Sequence, residues 1–329
     1  MSVDADIEKI DRSDMLQVIC SLPDQIEKGL DIEVEFSAPG NIIVAGVGGS
    51  AIAADILRAW LEPSGRFLHV VRGAALPRWV GEEDVLICIS FSGNTRETLA
   101  CLDEGISRGC RILCITSGGK MEDVCRSKGL PVAKVPGDLP PRGAIGYLFT
   151  ALAKAVADEQ TLRSEMEVVI RSLRTLREKL VPESEENVAH NVAEQIVSLY
   201  PLVYADERFL PIARRWKTQL NENSKKHAWS GCFPEINHNE VVGWDLEDGV
   251  DRFCAIMLRD EETSGRMDVT IEELKGKTMV IVVEAEGENL LSRMFQELMI
   301  GDFVSYYCAL LRGIDPTPVE AIQRIKDAS

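Results

Sequence analysis

The sequence predicts an α/β protein in which parallel strands are covered by helices on both faces. Short apolar runs rich in Val, Ile and Leu alternate with segments of helical periodicity along most of the 329 residues. Near-continuous apolar strands indicate a parallel sheet buried on both faces, because a strand with one solvated face alternates apolar and polar residues. The length corresponds to about two domains at roughly 150 residues each.

The first half contains the clearest alternation of strands and helices. Strands are predicted where apolar β-branched residues cluster, and helices where apolar residues recur with a helical period. The predicted strands are 41–47, 66–72, 84–89, 111–116 and 131–135, and the predicted helices are 50–62, 95–108 and 120–128. These elements predict one domain over residues 1–155 that carries a doubly wound sheet.

A helical stretch and a second, less regular α/β region follow. Residues 143–180 have a helical pattern, and Pro182 is expected to stop it because proline cannot continue a helix. We therefore expect a helical linker over 156–184 and a second domain over 185–329. The predicted elements of that domain are helices 185–199, 209–222, 269–275, 288–311 and 318–327, and strands 201–206, 253–258 and 279–283.

Composition and charge argue against several classes of function. Lys and Arg number 36 and Asp and Glu 53, a net charge of −17 that repels nucleic acid. No apolar run approaches the ~18 residues of a membrane helix, and the polar N-terminal segment does not resemble a signal peptide. The nine cysteines lack regular spacing and predict reduced core thiols in a cytoplasmic protein. The four histidines are too scattered to indicate a metal site.

A glycine-rich run, Gly46–Ala51, joins the first predicted strand to the first helix. Glycines allow a tight turn and a close ligand, the helix start offers free N–H groups to an anion, and Ser50 is a candidate N-cap. The run also fits a dinucleotide-binding pattern, which requires an acidic residue after the second strand. That strand ends at Arg72, which weakens the dinucleotide interpretation without removing it. A plain tight turn is the third alternative.

A second loop, Ser90–Thr95, follows the strand at 84–89 and opens a helix. Hydroxyls and main-chain amides at the carboxyl end of a parallel strand suit a phosphate monoester without a lysine or a metal. The alternative is a capped turn with Thr95 as the N-cap residue. A third loop, Thr116–Gly119, ends the next strand and is expected to border the same site.

Together the two segments GGSAIAAD and SFSGNTRETL resemble the sugar isomerase (SIS) domain. The resemblance implies two SIS-type domains, each a flavodoxin-like, doubly wound parallel sheet flanked by helices. It also implies that the loops hold the phosphate of a sugar phosphate. The residues implied in phosphate binding are Gly49, Ser50, Ser90, Ser92 and Thr95.

Three further segments narrow the resemblance to the bifunctional phosphoglucose/phosphomannose isomerase family. They are Pro140–Gly143, Asn221–Lys225 and Pro234–Glu240, and they occur in the order of that family. The resemblance implies an aldose–ketose isomerase that interconverts glucose 6-phosphate and mannose 6-phosphate with fructose 6-phosphate. The reaction passes through a cis-enediolate and requires a base and a charge-stabilising group, but neither a redox cofactor nor a metal.

Glu222 is the candidate base. It ends the predicted helix 209–222, beside an apolar stripe of Ile212, Trp216 and Leu220. A carboxylate at a helix C-terminus meets the negative end of the helix dipole, so stability alone does not favour this placement. An ordinary solvated glutamate remains the alternative.

The remaining catalytic candidates come from the same resemblance. Arg142 is permanently charged and suits stabilisation of the enediolate. A histidine is a residue type that can exchange protons near neutrality, so His238 suits opening of the sugar ring, and the family implies that it reaches the site of the neighbouring subunit in a homodimer. Lys326 in the last helix and Thr317 before it are implied to contact the sugar, with Arg324 as a competing match for Lys326.

Two other functions remain open from sequence. A non-catalytic phosphosugar sensor would keep the phosphate loops without a base, and the joint presence of Glu222, Arg142 and His238 argues against it. An NAD(P)-dependent oxidoreductase would use the run GVGGSA, but it would leave SFSGNT without a role.

Overall fold

The computed structural model describes residues 3–245 and 249–328. The helices of this part are α1 Val3–Ile10, α2 Met15–Cys20, α3 Leu22–Leu30, α4 Gly49–Leu61, α5 Arg96–Ser107, α6 Gly119–Lys128, α7 Ile145–Val156, α8 Glu159–Leu180, α9 Val188–Ile196, α10 Leu210–Glu222, α11 Glu240–Gly243, α12 Ser264–Lys275, α13 Leu290–Leu311 and α14 Glu320–Ala328. The strands are β1 Ile42–Gly46, β2 Leu68–Val71, β3 Val85–Ile89, β4 Arg111–Thr116, β5 Val132–Lys134, β6 Tyr200–Asp206, β7 Trp229–Phe233, β8 Phe253–Arg259 and β9 Met279–Glu284.

The chain divides into two compact units. The first unit comprises residues 21–171 with 289–292 and contains β1–β5. Its five strands run parallel in the order β2-β1-β3-β4-β5. The chain therefore winds first to one side of β1 and then to the other, which is the flavodoxin-like order of a doubly wound sheet. The predicted fold class is confirmed for this unit.

The core of the first unit explains why its strands have no polar face. All five residues of β1 and all five of β3 are buried, because helices cover both sides of the sheet. Helix α7 packs against α3 and α4. Gly29 of α3 makes one of these approaches possible, since a Cβ there would lie 2.8 Å from the Cβ of Thr150.

The second unit contains the other sheet and the two N-terminal helices α1 and α2. Its four strands are parallel in the order β7-β6-β8-β9. The central positions of β8 are buried, as expected for an inner strand. Two parallel sheets flanked by helices confirm the predicted fold class for the whole described chain. The division between the units falls after Arg171, inside α8.

Sequence reasoning misplaced or missed several elements. The stretch 143–180 is two helices, because Ala157 has an extended backbone with ψ 163° and Asp158 begins a new helix by accepting a hydrogen bond from the Thr161 N–H at 2.9 Å. Strand β7 was missed because a short run that contains Gly231 gives little β signal, and helices α1–α3 were not predicted. In the described ranges, no helix is long and apolar enough to cross a membrane.

Candidate active site

The first loop places the start of α4 at the carboxyl end of β1. Gly48 is the N-cap residue, with φ 60°, and no side chain caps the helix. The sequence suggested Ser50 as the N-cap residue, and this prediction is wrong. Ser50 lies in the first turn of α4 and is 7% exposed. The first N–H groups of α4 keep their hydrogen-bonding capacity for a ligand, in the direction where the helix dipole favours an anion.

The second loop repeats this arrangement at the start of α5. Thr95 is the N-cap residue in an extended conformation, but its side chain makes no capping hydrogen bond. The Ser90 hydroxyl donates to the Thr95 hydroxyl at 2.9 Å instead, and Ser90 is almost fully buried. Ser92 is exposed. Thr95 therefore has the N-cap position that the capped-turn alternative predicts, but not its hydrogen bond: Ser90 orients Thr95, and the first N–H groups of α5 have no side-chain cap.

The third loop braces the second. The Phe91 carbonyl accepts hydrogen bonds from the Ser117 N–H at 2.9 Å and from the Ser117 hydroxyl at 2.6 Å. Asn94 adds a link, because its Oδ1 accepts from the Lys120 N–H at 3.2 Å while its Nδ2 donates to the Ser92 carbonyl at 2.9 Å. The third loop thus holds the shape of the second.

Arg142 lies close to the first loop in the same unit. It is in a short 3-10 turn, Pro141–Gly143, and is 6% exposed. A Cβ built on Gly49 would lie 3.9 Å from the Cα of Arg142, so the main chain of the arginine passes beside the start of α4. The structure therefore brings Gly49, Ser50 and Arg142 together.

Gln25 fixes the turn that carries Arg142. Its Nε2 donates to the Gly143 carbonyl at 2.8 Å, and its Oε1 accepts from the Gly146 N–H at 3.2 Å. The residue is 2% exposed, so both hydrogen bonds are shielded from water. Helix α3, which the sequence did not predict, therefore supports a candidate catalytic residue.

Arg72, the residue that weakened the dinucleotide interpretation, has a structural partner. Its guanidinium donates to the carboxylate of Asp55, a fully buried residue of α4. Because a buried carboxylate requires a nearby cation, this ion pair explains Arg72 without a nucleotide phosphate.

Helix α10 carries Glu222 at its last position. The predicted stripe of Ile212, Trp216 and Leu220 is fully buried, and Glu222 itself is half-buried. Trp216 Nε1 donates to the Glu297 carbonyl at 2.8 Å. These contacts fix the helix from its apolar side and leave its C-terminal edge facing a cavity.

Glu222 lines a cavity of about 710 Å³ within the second unit. The volume is that of a site for a small molecule. Arg324 of α14 lies on the cavity wall, and Lys326 is not among its lining residues. Thr317 precedes Pro318, another lining residue, and donates its N–H to Asp315 Oδ1 at 3.0 Å. Helix α14 begins only at Glu320, so Thr317 is not its N-cap residue.

His238 ends a short 3-10 turn, Glu235–His238, after β7 and is exposed. Its neighbours hold the turn, because Asn237 Oδ1 accepts from the Thr270 hydroxyl at 2.9 Å and Asn239 Nδ2 donates to Glu235 Oε1 at 2.8 Å. His238 does not line the cavity that contains Glu222. Among the residues that the structure describes, no group of His, Cys, Asp or Glu is arranged to hold a metal ion.

Comparison with known proteins identifies the family. Residues 35–128 match the SIS domain, and residues 185–328 match the bacterial phospho-glucose isomerase C-terminal SIS domain. A bifunctional phosphoglucose/phosphomannose isomerase of Caldicellulosiruptor bescii is 34% identical over 95% of this chain and 98% of its own length. The protein of that name from Aquifex aeolicus is 33% identical over 90% and 92%. The chain belongs to the bifunctional phosphoglucose/phosphomannose isomerase family.

Family membership confirms the resemblance drawn from the motifs and the prediction of an isomerase. A solved glucose-6-phosphate isomerase like protein from Thermus thermophilus has the same fold over 100% of both chains, with a TM-score of 0.71 at 21% identity. The roles of individual residues stay predictions.

Several residues around the site of this family member were missed by sequence reasoning. His227 lines the cavity beside Glu222, and its ring stacks on Trp229. Lys225 lines the same cavity; it belongs to the recognised segment Asn221–Lys225, but no role was predicted for it. Both follow the predicted helix within five positions, so proximity to Glu222 was the available signal. Gln25 gave no signal. Asn94 lies in the recognised loop Ser90–Thr95, but its bracing role was not predicted. The contacts of both residues join segments that are distant in sequence.

Proposed function

We propose that the protein interconverts glucose 6-phosphate and mannose 6-phosphate with fructose 6-phosphate, with Glu222 as the base. The names of its relatives support these substrates. The observation that carries the proposal is that one chain contains both a place for a phosphate and a place for a base. The helices α4 and α5 follow hydroxyl-rich loops and begin without a side-chain cap, which suits a phosphate. The Glu222 carboxylate lines a cavity that Arg324 also lines.

In this proposal the first unit holds the substrate phosphate. The N–H groups at the starts of α4 and α5 donate to phosphate oxygens, with hydroxyl donors from Ser50, Ser92 and Thr95. Ser90 acts on Thr95 through the hydroxyl–hydroxyl bond. Gly49 lets the main chain approach the ligand, since it has no side chain there.

Glu222 transfers the proton between C2 and C1. Its carboxylate removes the proton from C2 of the aldose, the electron pair forms the C1–C2 double bond, and O1 takes up a proton. The resulting cis-enediol(ate) regains the proton at C1 and loses one from O2 to give the ketose. Arg142 stabilises the negative charge on the enediolate oxygens, because a guanidinium stays charged throughout. Both aldose epimers give the same intermediate.

Ring opening requires a group that moves a proton between O1 and O5. We propose His238 of the neighbouring copy in a homodimer, as the family resemblance implies, and its exposure is compatible with that role. His227 is the alternative from the same chain, because it lines the cavity that contains Glu222. The variants His238→Asn and His227→Asn separate the two: loss of activity on cyclic substrate should follow only the histidine that opens the ring.

The cation of the last helix is assigned by the same logic. Arg324 lines the cavity, whereas Lys326, the residue chosen from sequence, does not. Arg324 also pairs with Glu320 at 3.5 Å on an exposed face. We therefore propose Arg324 as the substrate contact, so Arg324→Met should weaken activity more than Lys326→Met.

Unpaired cysteines at all nine positions support the proposed cytoplasmic location.

The deciding experiment is proton NMR of fructose 6-phosphate with the protein in D₂O, with Glu222→Gln as the matched variant. We expect deuterium at C1 of fructose 6-phosphate and at C2 of newly formed aldoses, with both glucose and mannose 6-phosphates appearing. Glu222→Gln should lose at least about 10³-fold in rate if Glu222 is the base. Binding without exchange would indicate a sensor, and turnover that requires NADP would indicate an oxidoreductase.

A further inference from the structure

Lys225 has an unusual position at the end of the helix that carries Glu222. Its backbone is in the left-handed region, with φ 51°, where glycine is the residue normally found after a helix. A lysine there is strained relative to glycine, which makes the contacts of its side chain worth tracing. Lys225 also lines the cavity that contains Glu222.

The ammonium group of Lys225 joins two separate segments of the second unit. Nζ donates to the carbonyls of Glu222 at 2.7 Å and Asn223 at 3.2 Å, at the end of α10. It also lies 3.1 Å from the carbonyl of Asp315 and 2.9 Å from that of Pro316. The ammonium of Lys225 and the four carbonyl oxygens around it are called the clamp below. The clamp links two segments that are about 90 residues apart in the sequence.

The two clamped segments carry the groups proposed to act on the substrate. The first segment is the end of α10, where Glu222 is the last residue. The last carbonyls of a helix have no partners within the helix, so a cation there interacts favourably with the negative end of the helix dipole. The second segment leads directly to Thr317, whose N–H is bound by Asp315 Oδ1. Arg312 strengthens the junction by donating to the Ser224 carbonyl.

We propose that Lys225 is a positioning residue that fixes the Glu222 end of α10 against the 315–317 segment. The proposal rests on the proposed function, because it assigns the purpose of the clamp to the base. Proton transfer between adjacent carbons tolerates little displacement of the carboxylate, so loosening the clamp slows catalysis. Phosphate binding depends on loops of the other unit, so the Michaelis constant should change little.

Lys225→Gly is the sharpest variant, because it removes the amine and relieves the strained backbone. If Lys225 only stabilised the fold, Lys225→Gly would be less stable than the unmodified protein but equally active per folded molecule. We expect the opposite: an unchanged or higher urea midpoint, a kcat reduced about 30-fold and a KM for fructose 6-phosphate within about twofold. Lys225→Arg, which keeps the charge, should recover part of kcat.

A matched control removes one lysine charge elsewhere in the second unit. Lys275 is exposed and pairs locally with Glu272 at 2.6 Å, so Lys275→Met should behave as the unmodified protein. A kcat for Lys225→Gly equal to that of Lys275→Met would overturn the positioning role.

Amide hydrogen exchange tests the clamp without reference to catalysis. The N–H of Thr317 should exchange at least about tenfold faster in Lys225→Gly than in the unmodified protein, because its segment loses the ammonium contact. An unchanged exchange rate of the Thr317 N–H would contradict the clamp even if the unmodified protein isomerises sugars. An inactive unmodified protein with faster exchange in the variant would reject the proposed function and the assigned purpose, while the clamp itself would stand.

Discussion

At the scale of single residues, Glu297 is an acidic side chain buried outside the candidate site. It is fully buried in α13, and neither carboxyl oxygen has a hydrogen-bond partner of good geometry. Burial, then the carboxylates of Asp260 and Asp206, raise the pKa of Glu297 well above its ordinary value, against a smaller opposing effect of the Arg259 main chain. Asp260, one of these carboxylates, pairs with Arg293 at 3.0 Å. Glu297 is therefore a buried neutral acid.

The raised pKa predicts how stability depends on pH. The native carboxyl group keeps its proton above ~4.3, where the unfolded chain loses it, so unfolding releases a proton. This contribution makes the free energy of unfolding fall as the pH rises from the unfolded pKa toward the native one. Glu297→Gln removes it, so the free energy of unfolding of the variant, relative to that of the unmodified protein, should rise by about 1.4 kcal/mol for each pH unit between the unfolded and the native pKa.

Urea unfolding of both proteins at several pH values measures this difference. Using the difference cancels the titration of the other carboxylates, which are common to both chains. A difference that stays constant from pH 4 to pH 8 would show that Glu297 ionises normally in the native state.

Residue types and order indicated candidate site residues but not the residues that support them. Ser50, Ser92 and Glu222 were recognised because hydroxyls after a strand and a carboxylate at a helix end are local patterns. Gln25, whose amide holds the turn of Arg142, gave no local signal, since its partners lie 118 and 121 residues away.

At the scale of elements, the second and third loops depend on one close approach between them. Gly93 has φ 67°, and a Cβ at this position would lie 1.7 Å from the Gly118 carbonyl oxygen. The Gly93 carbonyl also accepts a hydrogen bond from the Met121 N–H at 2.9 Å. A side chain at Gly93 would therefore push the third loop away from the second and distort the candidate site.

Two glycine variants separate this clash from backbone strain. Gly93→Ala should raise KM for fructose 6-phosphate at least about tenfold and destabilise the protein by about 2–4 kcal/mol. Gly65 has nearly the same φ, 69°, but a Cβ added there would have no atom within 4 Å, so Gly65→Ala should cost only about 1 kcal/mol and leave KM unchanged. Steady-state kinetics and urea unfolding of both variants test this, and equal KM values would exclude a steric role for Gly93.

The second sheet shows why similar elements need not share a site. Its strands β6 and β8 end at Asp206 and Arg259, and the following residues form an ion network rather than a hydroxyl loop. Arg208 pairs with Glu262 at 2.5 Å and lies 3.5 Å from Asp260. At this edge the arginine side chains form ion pairs with carboxylates. The carboxyl ends of the second sheet are therefore followed by ion pairs, whereas those of the first sheet are followed by hydroxyl-rich loops.

At the scale of the whole molecule, the thiols are protected by burial. Seven of the nine cysteines are buried, and the other two, Cys20 and Cys232, are half-buried. Burial raises the pKa of both to about 11, so little of either is thiolate at neutral pH. Because the thiolate is the nucleophile, we expect slow modification of the native protein throughout.

A thiol-specific reagent such as DTNB measures this directly. In the native protein at pH 7.5, we expect fewer than about one thiol to react in the time that free cysteine reacts completely, and the rate should rise as the pH approaches 11. All nine thiols should react after unfolding in guanidinium chloride. The double variant Cys20→Ser/Cys232→Ser should remove the slow native reaction, whereas a fast phase that survives in it would show that a buried thiol becomes accessible.

The amino-acid sequence by itself determined the fold class, the strands of the first sheet, the positions of the hydroxyl-rich loops and the choice of the candidate base. These features are encoded locally, in apolar runs, turn residues and motif order. Only the tertiary structure decided that Ser90 orients Thr95, that Arg324 rather than Lys326 lines the cavity of Glu222, and that Lys225 joins two distant segments. Such contacts depend on where the chain returns to itself, and no pattern of neighbouring residues specifies that.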